Sequence, residues 1–346
     1  MPAGQSRRYH HVVVEAAHGD DRLISVVVPT YRRGEHLRAA VQSLMEQQLA
    51  PGHTLEVIIA VSDGSIDDDM RTARELARNP RVRMTVALGP GPAAARNAGL
   101  ATSSGSLVAF LDDDCTAEAG WLLAGVKALG HADIVQGRTL PDGPVPRFSH
   151  TLSVYPPSWL WESCNLFVRK DIASRIGAFD ETWNPTGQVH DHMGEDAEWG
   201  WRLVRGGATP GFAPEAVVRH AVVARSFRQY LKYQARLRYF PRLFRIAPET
   251  RRICYRGYFV SRHHAVLAAV ILSLSAGVLA RRSGARRLGL RLMLLAGIGY
   301  LLPLRKTIPA MGVAGALTDL VWRIPTEAVE VGSALCGSIR WRRLLI

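Results

Sequence analysis

Residues 24–30 (ISVVVPT) and 55–61 (LEVIIAV) are two short, mostly apolar, β-branched runs separated by a stretch, about residues 35–48, that reads as a helix. A strand apolar at every position is one covered on both faces, which is the condition inside a parallel sheet. The same alternation continues through a helix over about 67–77, a strand at 82–87, a helix at 92–102 and an apolar run at 107–111 that ends on three consecutive aspartates. Strand and helix taken in turn predict an α/β fold with a mainly parallel sheet flanked by helices. In open sheets of this kind ligands bind outside the carboxyl ends of the strands. The polar residues that follow each run are therefore the place to look for chemistry.

Farther along, the Pro-rich stretch 141–157 reads as a loop joining two halves of the domain. Beyond it, 166–168 reads as a short strand, 171–176 as a short helix, and 195–205 as a longer helix stopped by Gly206 and Gly207. The chain of 346 residues is 47% hydrophobic, enough for one sizeable domain and an appendage. Its net charge of +13 is unevenly placed: residues 1–200 hold 18 Lys and Arg against 25 Asp and Glu, whereas residues 201–346 hold 25 against 5. An acidic half is unsuited to nucleic acid but suits metal binding and acid/base chemistry, while a basic, apolar half suits an anionic membrane surface. Four scattered cysteines without CxxC spacing indicate neither a disulfide framework nor a zinc site. The first 21 residues are polar and mixed in charge, with no apolar run of the kind that starts a signal peptide, so a cytoplasmic location is expected.

Four polar signatures follow the apolar runs. Pro29, Thr30, Tyr31 and Arg32 close the first strand, where proline removes a backbone donor and shapes a loop. Ser62-Asp63-Gly64-Ser65 closes the second; its carboxylate suits a nucleobase or ribose, and an ordinary Asx turn explains it equally well. Asp112, Asp113 and Asp114 follow Phe110-Leu111; adjacent like charges repel, so the arrangement points to a hard divalent cation held by oxygen ligands. Glu195 and Asp196 open the helix that carries Trp199 and Trp201, a position that the helix dipole also favours for acids.

In this order, and with Ala95-Arg96-Asn97-Ala98-Gly99 between them, these signatures resemble the family-2 glycosyltransferases of the GT-A fold. Cys164-Asn165-Leu166-Phe167-Val168-Arg169 and Ile176-Gly177-Ala178-Phe179-Asp180-Glu181 are similar to the stretch that precedes the acidic pair in that family, and the likeness covers about residues 22–221. The resemblance implies an inverting transfer of sugar from a nucleotide-sugar donor to a hydroxyl acceptor, assisted by Mg²⁺ or Mn²⁺. It implies that Pro29, Thr30, Tyr31, Arg32 and Asp63 hold the base and ribose, with Arg96, Asn97, Asp112 and Asp113 completing the donor pocket. Asp114 and His220 would bind the metal. Asp196 would be the catalytic base, with Glu195 orienting it or meeting the acceptor. Trp161, Asn165, Trp199 and Arg202 are the acceptor-side candidates. A nucleotide-sugar-forming nucleotidyltransferase would instead carry a Gly-rich phosphate loop near the first strand, where this chain has Pro29-Thr30-Tyr31. A non-catalytic membrane or nucleic-acid binding protein would leave the ordered carboxylates without a purpose.

The last third lies outside the likeness. Residues 225–262 hold 11 Lys and Arg, one acid (Glu249) and nine interleaved aromatics, the composition of a basic amphipathic segment at a membrane interface. Residues 265–280 carry no charge, and 288–304 are apolar except for Arg291. Both runs sit at the short edge of what spans a bilayer. Arginines flank the first run on both sides, which favours association with one leaflet over crossing. The expected division is a polar extension over 1–21, a transferase domain over 22–224, the basic segment over 225–262 and a helical membrane-associated region over 263–346. The expected partners are the donor, a glycan or lipid-linked acceptor and an anionic membrane surface, and no nucleic acid.

Overall fold

A computed structural model of the chain describes residues 20–62, 64, 67–183, 193–302 and 304–346. The chain divides into two compact units, Met1–Ala224 and Arg225–Ile346. In the first, strands β1 (Asp20–Thr30), β2 (Thr54–Val61), β3 (Val82–Val86) and β4 (Gly105–Leu111) alternate with helices α1 (Gly34–Met45), α2 (Asp67–Leu76) and α3 (Pro92–Thr102). Then come β5 (Cys115–Ala117), α4 (Trp121–Leu129), β6 (Ile134–Pro141), β7 (Asn165–Arg169), α5 (Lys170–Ile176), α6 (Glu195–Arg205) and β8 (Pro210–His220). All eight strands form one sheet in the order β3-β2-β1-β4-β7-β6-β8-β5.

The β3-β2-β1-β4 half is parallel throughout. Its inner strands β1 and β2 are buried on both faces: Val26, Val27 and Val28 of β1 and Val57, Ile58 and Ile59 of β2 are fully enclosed. Leu37, Val41 and Leu44 of α1 cover one face, each side chain contributing about 1.5–3 kcal/mol by burial. On α3 the contact with β1 is closer still, because a Cβ at Gly99 would lie 2.2 Å from Val27 Cγ1. Only glycine allows that approach. The sheet is more mixed than the first four strands suggest: β7 runs antiparallel to both β4 and β6, and β5 runs antiparallel to β8. β5, α4 and β6 carry no strong periodic signal in the sequence and arise from tertiary pairing.

The second unit is helical: α7 (Phe227–Gln234), α8 (Phe240–Ile246), α9 (Arg262–Arg282), α10 (Arg286–Leu301) and α11 (Leu304–Trp341), the last interrupted at Gly312, whose φ is +73°. Ser226 and Gln229 form a capping box that starts α7. Part of the basic-aromatic segment turns inward here, since Phe244, Cys254, Ala334 and Leu345 make a small core and Tyr239 is also buried. Arginines stack on its rings, Arg236 on Tyr233 and Arg251 on Phe244, both at 4.9 Å. α9 and α10 form a hairpin packed glycine to glycine, where a Cβ on Gly277 would lie 2.8 Å from the Gly289 carbonyl oxygen. Its outer surface is apolar and open: Leu272, Leu279, Leu294 and Leu295 are all more than 60% exposed. Among the described residues, α9 is the one helix long and apolar enough to cross a membrane.

Candidate active site

The three aspartates occupy the turn between β4 and β5, and each has a different neighbour. Asp113 is buried; its Oδ2 accepts from the Thr30 hydroxyl (2.8 Å) and the Tyr31 amide (3.3 Å), and its Oδ1 from Arg33 Nη1 (3.2 Å). Burial pushes its pKa up to about 7, although Arg33 acts in the other direction. Thr30 and Tyr31 thus anchor the loop after β1 to the acidic turn, while Pro29 stays within β1, paired with Ala60. Arg32 has a left-handed φ of +56°, and its amide, with that of Arg33 (3.0 Å), donates to the fully buried Asp69 of α2. Neither Arg33 nor Asp69 stands out in the sequence. Asp63 lies outside the described residues.

Asp114 lies 7% exposed, with Arg33 also donating to its Oδ2. Its Oδ1 is buried without a hydrogen bond and faces His220 Nε2 at 3.7 Å. The sheet explains this meeting: Cys115 of β5 pairs with His220 at the end of β8, and the Ala221 amide donates to the Asp114 carbonyl (2.8 Å). His220 Nδ1 lies 2.9 Å from the Ala221 carbonyl oxygen. A proton on Nδ1 satisfies that contact and leaves the Nε2 lone pair toward Asp114, the arrangement a metal-binding imidazole needs. Asp114, Cys115 and His220 offer ligand atoms within 4.8 Å of one another. Burial raises the Cys115 thiol well above its usual range, which keeps it protonated. The oxygen and nitrogen donors of Asp114 and His220 are the better ligands for a hard cation, and the orphaned Asp114 Oδ1 fits that use.

Asp112 connects to the acidic pair of α6 through Arg96. The guanidinium is fully buried; Nη2 donates to Asp112 Oδ1 (2.9 Å) and Nη1 to Glu195 Oε1 (3.3 Å). Burial alone would lower its pKa, but Asp112, Glu195 and Asp196 outweigh it and the pKa is raised. α6 begins at Gly194, left-handed at φ +100°, which places Glu195 and Asp196 in the first turn. Asp196 Oδ2 accepts from the Ser163 amide (3.3 Å) and hydroxyl (3.4 Å). Burial first, then the Glu195 carboxylate, push the Asp196 pKa well above the ordinary carboxylate range, with Arg96 opposing them.

The segment 159–163 is shaped to meet α6. Trp159 and Trp161 have φ of +60° and +57°, a backbone that bulky residues rarely adopt. Trp161 is fully buried on Gly200, where a Cβ would fall 2.2 Å from the indole, and Trp201 Nε1 donates to the Trp159 carbonyl (2.9 Å). This packing holds Ser163 against Asp196 and brings Glu162 alongside. Glu162 receives a 2.6 Å hydrogen bond from the Ser158 hydroxyl, and burial, with Asp196 adding to it, raises its pKa to about 7. Sequence reasoning passed over Glu162 and Ser163; a single acid directly after two closely spaced tryptophans was the signal present.

The remaining candidates are occupied by protein partners. Asn97 grips Phe179 through its amide nitrogen and carbonyl (3.0 and 2.8 Å) and donates to Glu181 (2.7 Å), so it ties α3 to the segment before α6. Asn165 is wholly buried: it donates to the Arg138 and Ala216 carbonyls (2.8 and 2.9 Å) and accepts from Trp121 Nε1 (2.8 Å), which knits the sheet together. Trp199 donates to the Gly177 carbonyl and stacks on Phe179 at 4.1 Å. Arg202 pairs with Glu198 (2.8 Å) and caps the Ile176, Gly177 and Ala178 carbonyls.

Residues 25–184 match Glycosyl transferase family 2. The chain is 29% identical over 229 residues to Glycosyltransferase AglE of Haloferax volcanii, a match covering 62% of this chain and 71% of that protein. It is 30% identical over 232 residues to the pre-mycofactocin glycosyltransferase of Mycobacterium tuberculosis, covering 58% of this chain but only 43% of the relative. A mannosyltransferase from Pyrobaculum calidifontis, solved in complex with GDP-Man and Mn²⁺, shares the fold with a TM-score of 0.54 at 18% identity, over 97% of this chain and 91% of that one. Residues 25–184 thus carry a family-2 glycosyltransferase domain, on a sheet that shares the GT-A fold.

Proposed function

We propose that the protein is an inverting, divalent-cation-dependent glycosyltransferase that passes a sugar from a nucleotide-sugar donor to a hydroxyl of a lipid-linked or cell-envelope glycan, at the cytoplasmic face of a membrane. The observation that carries this reading is the buried Arg96 bridge, which joins Asp112 at the end of β4 to Glu195 at the start of α6 and so makes the donor-side and base-side carboxylates neighbours. Asp196 accepts the acceptor hydroxyl's proton as that oxygen bonds to the anomeric carbon; the bond from that carbon to the diphosphate breaks, and the nucleoside diphosphate departs. One displacement inverts the anomeric centre. Asp114 and His220 would hold Mg²⁺ or Mn²⁺, which supplies charge neutralisation for the leaving diphosphate. Asp112 would meet the nucleotide, with Arg96 and Ser163 holding the acids in position.

The structural relative's complex with GDP-Man and Mn²⁺ supports a nucleotide-sugar donor and a metal. The open apolar hairpin supports membrane association, because a helix apolar around its circumference with little protein contact needs an apolar solvent. Release of nucleotide from a panel of nucleotide sugars, with and without chelator, tests donor and metal together, and the anomeric configuration of the product tests inversion. Turnover unaffected by chelation, or a product that retains configuration, would remove the corresponding part of the proposal.

A further inference from the structure

α11 ends at Trp341, and the residues after it fold back. Arg342 takes a left-handed backbone (φ +51°), and the Arg343 amide closes on the Ser338 carbonyl at 3.2 Å. Leu345 is fully buried and exchanges two hydrogen bonds with the Ser338 hydroxyl (2.8 and 3.0 Å). The Ile346 amide donates to the Tyr258 carbonyl (2.8 Å), and the Val260 amide donates to the Ile346 carbonyl (2.9 Å). The left-handed arginine is unfavourable on its own, so the docking of Leu345 and Ile346 sustains it.

This turn gathers Arg340, Arg342 and Arg343 with Arg245 of α8 around Trp341, and together they line an open cavity of about 330 Å³. The Arg340 and Arg242 guanidinium groups lie over the indole at 5.2 and 5.5 Å. Trp341 Nε1 is buried without a hydrogen-bond partner. Among the described residues no carboxylate pairs with Arg245, Arg340, Arg342 or Arg343, whereas Arg33, Arg38, Arg83, Arg96, Arg202 and Arg219 each have one. Four cations held together on a fixed backbone repel one another until an anion offsets them.

We propose that this cavity binds the phosphate or diphosphate group of a lipid. Guanidinium forks match phosphate oxygens two at a time, and several of them around one cavity suit a group with more than one negative charge. Its place in the unit identifies the carrier. The Val260–Ile346 hydrogen bond sets the cationic turn beside Ser261, the residue that caps the start of α9, and therefore at the base of the apolar hairpin, away from its 283–285 tip. A hairpin buried by its apolar surface leaves its base at headgroup depth, where lipid phosphates lie. The phosphate chemistry stands on the cavity alone; its assignment to a lipid rests on the membrane reading above.

The test uses the full chain with vesicles of phosphatidylcholine, with and without phosphatidic acid, and with inorganic pyrophosphate as a soluble probe. Phosphatidic acid should tighten vesicle binding about tenfold or more. Arg342→Ala with Arg343→Ala should abolish that preference while leaving binding to pure phosphatidylcholine and nucleotide-sugar hydrolysis as in the wild type. Pyrophosphate should displace the wild type from phosphatidic acid vesicles at matched ionic strength. A preference undiminished in the double variant overturns the site, as does single-stranded RNA binding lost in that variant while its vesicle preference is intact. Pyrophosphate binding that depends on both arginines without any vesicle preference overturns the lipid assignment. If the double variant does not fold, failure of pyrophosphate to displace the wild type is the refuting result. Hydrolysis failing for every donor while the vesicle results hold would count against the transferase mechanism and not against this site.

Discussion

Arg96→Met removes the guanidinium between Asp112 and Glu195 while keeping most of the apolar stem. The link to Glu195 is enclosed, with both side chains 6% exposed, while Asp112 is 25% exposed. Breaking a buried ion pair by deleting one partner costs about 3–5 kcal/mol, because the surviving charge is left uncompensated. In a unit of this size each kcal/mol lowers Tm by about 2–4 °C, so a fall of about 6–20 °C is expected in a thermal melt. A second readout follows from the charges. Arg96 is the cation that draws the Asp196 pKa down, against burial and Glu195. Without it that pKa rises further, and since a base must be deprotonated, the acidic limb of kcat/KM against pH moves to higher pH. Adding Glu195→Gln removes one stranded charge, so the double variant should recover part of the lost Tm and bring the limb back down. A Tm within about 2 °C of wild type in Arg96→Met, or a limb that moves to lower pH, would refute the reasoning.

Asp196→Asn should lower kcat by about 10²–10⁴-fold with donor affinity nearly unchanged; the wild-type limb should fall near the pKa of about 7, with activity rising as pH climbs through it. Asp114→Asn and His220→Ala should each weaken metal binding by at least about 10-fold, read by titrating Mn²⁺ against donor hydrolysis. Gly200→Ala drives a methyl into Trp161 and should cost about 1–3 kcal/mol, measured by denaturant unfolding, together with a loss of kcat as Ser163 shifts from Asp196. Glu162→Gln takes away a like-charged neighbour of Asp196 and should move the acidic limb to lower pH, while donor KM stays constant.

The first half of the sheet was legible because its information is local. β1, β2 and β4 each contain a largely apolar run, and α1 to α3 fall where helices were expected, α3 at residues 92–102. β5, α4 and β6 escaped because β5 is three residues long and β6 is defined by its pairing with β7 and β8. In the site, residue types marked the candidates but not each residue's partners. Tyr31 reads as a nucleotide contact, and its backbone amide also holds Asp113; Asn165 reads as an acceptor contact, and its side-chain amide also joins three strands and α4. Polar groups near a site must satisfy the interior before they can serve a ligand, and which have done so is decided by tertiary contacts that no local pattern encodes. Arg33 and Asp69 were passed over because a single charged residue in a loop or helix carries no periodic signal.

The pairing of β5 with β8 has a consequence for how the protein is made. The nucleotide half of the sheet, β1 to β4, is complete by Leu111, built from neighbouring segments. Asp114 follows at once, but its partner His220 lies about a hundred residues farther on. At synthesis rates of about 5–20 residues per second, that interval lasts several seconds to tens of seconds on the ribosome. During it the aspartate turn has Arg33 and Arg96 within reach and no imidazole. The two arginines would neutralise the carboxylates during that interval, so a substitution at the half-exposed Arg33 should lower the yield of folded protein more than it lowers the stability of molecules that have already folded.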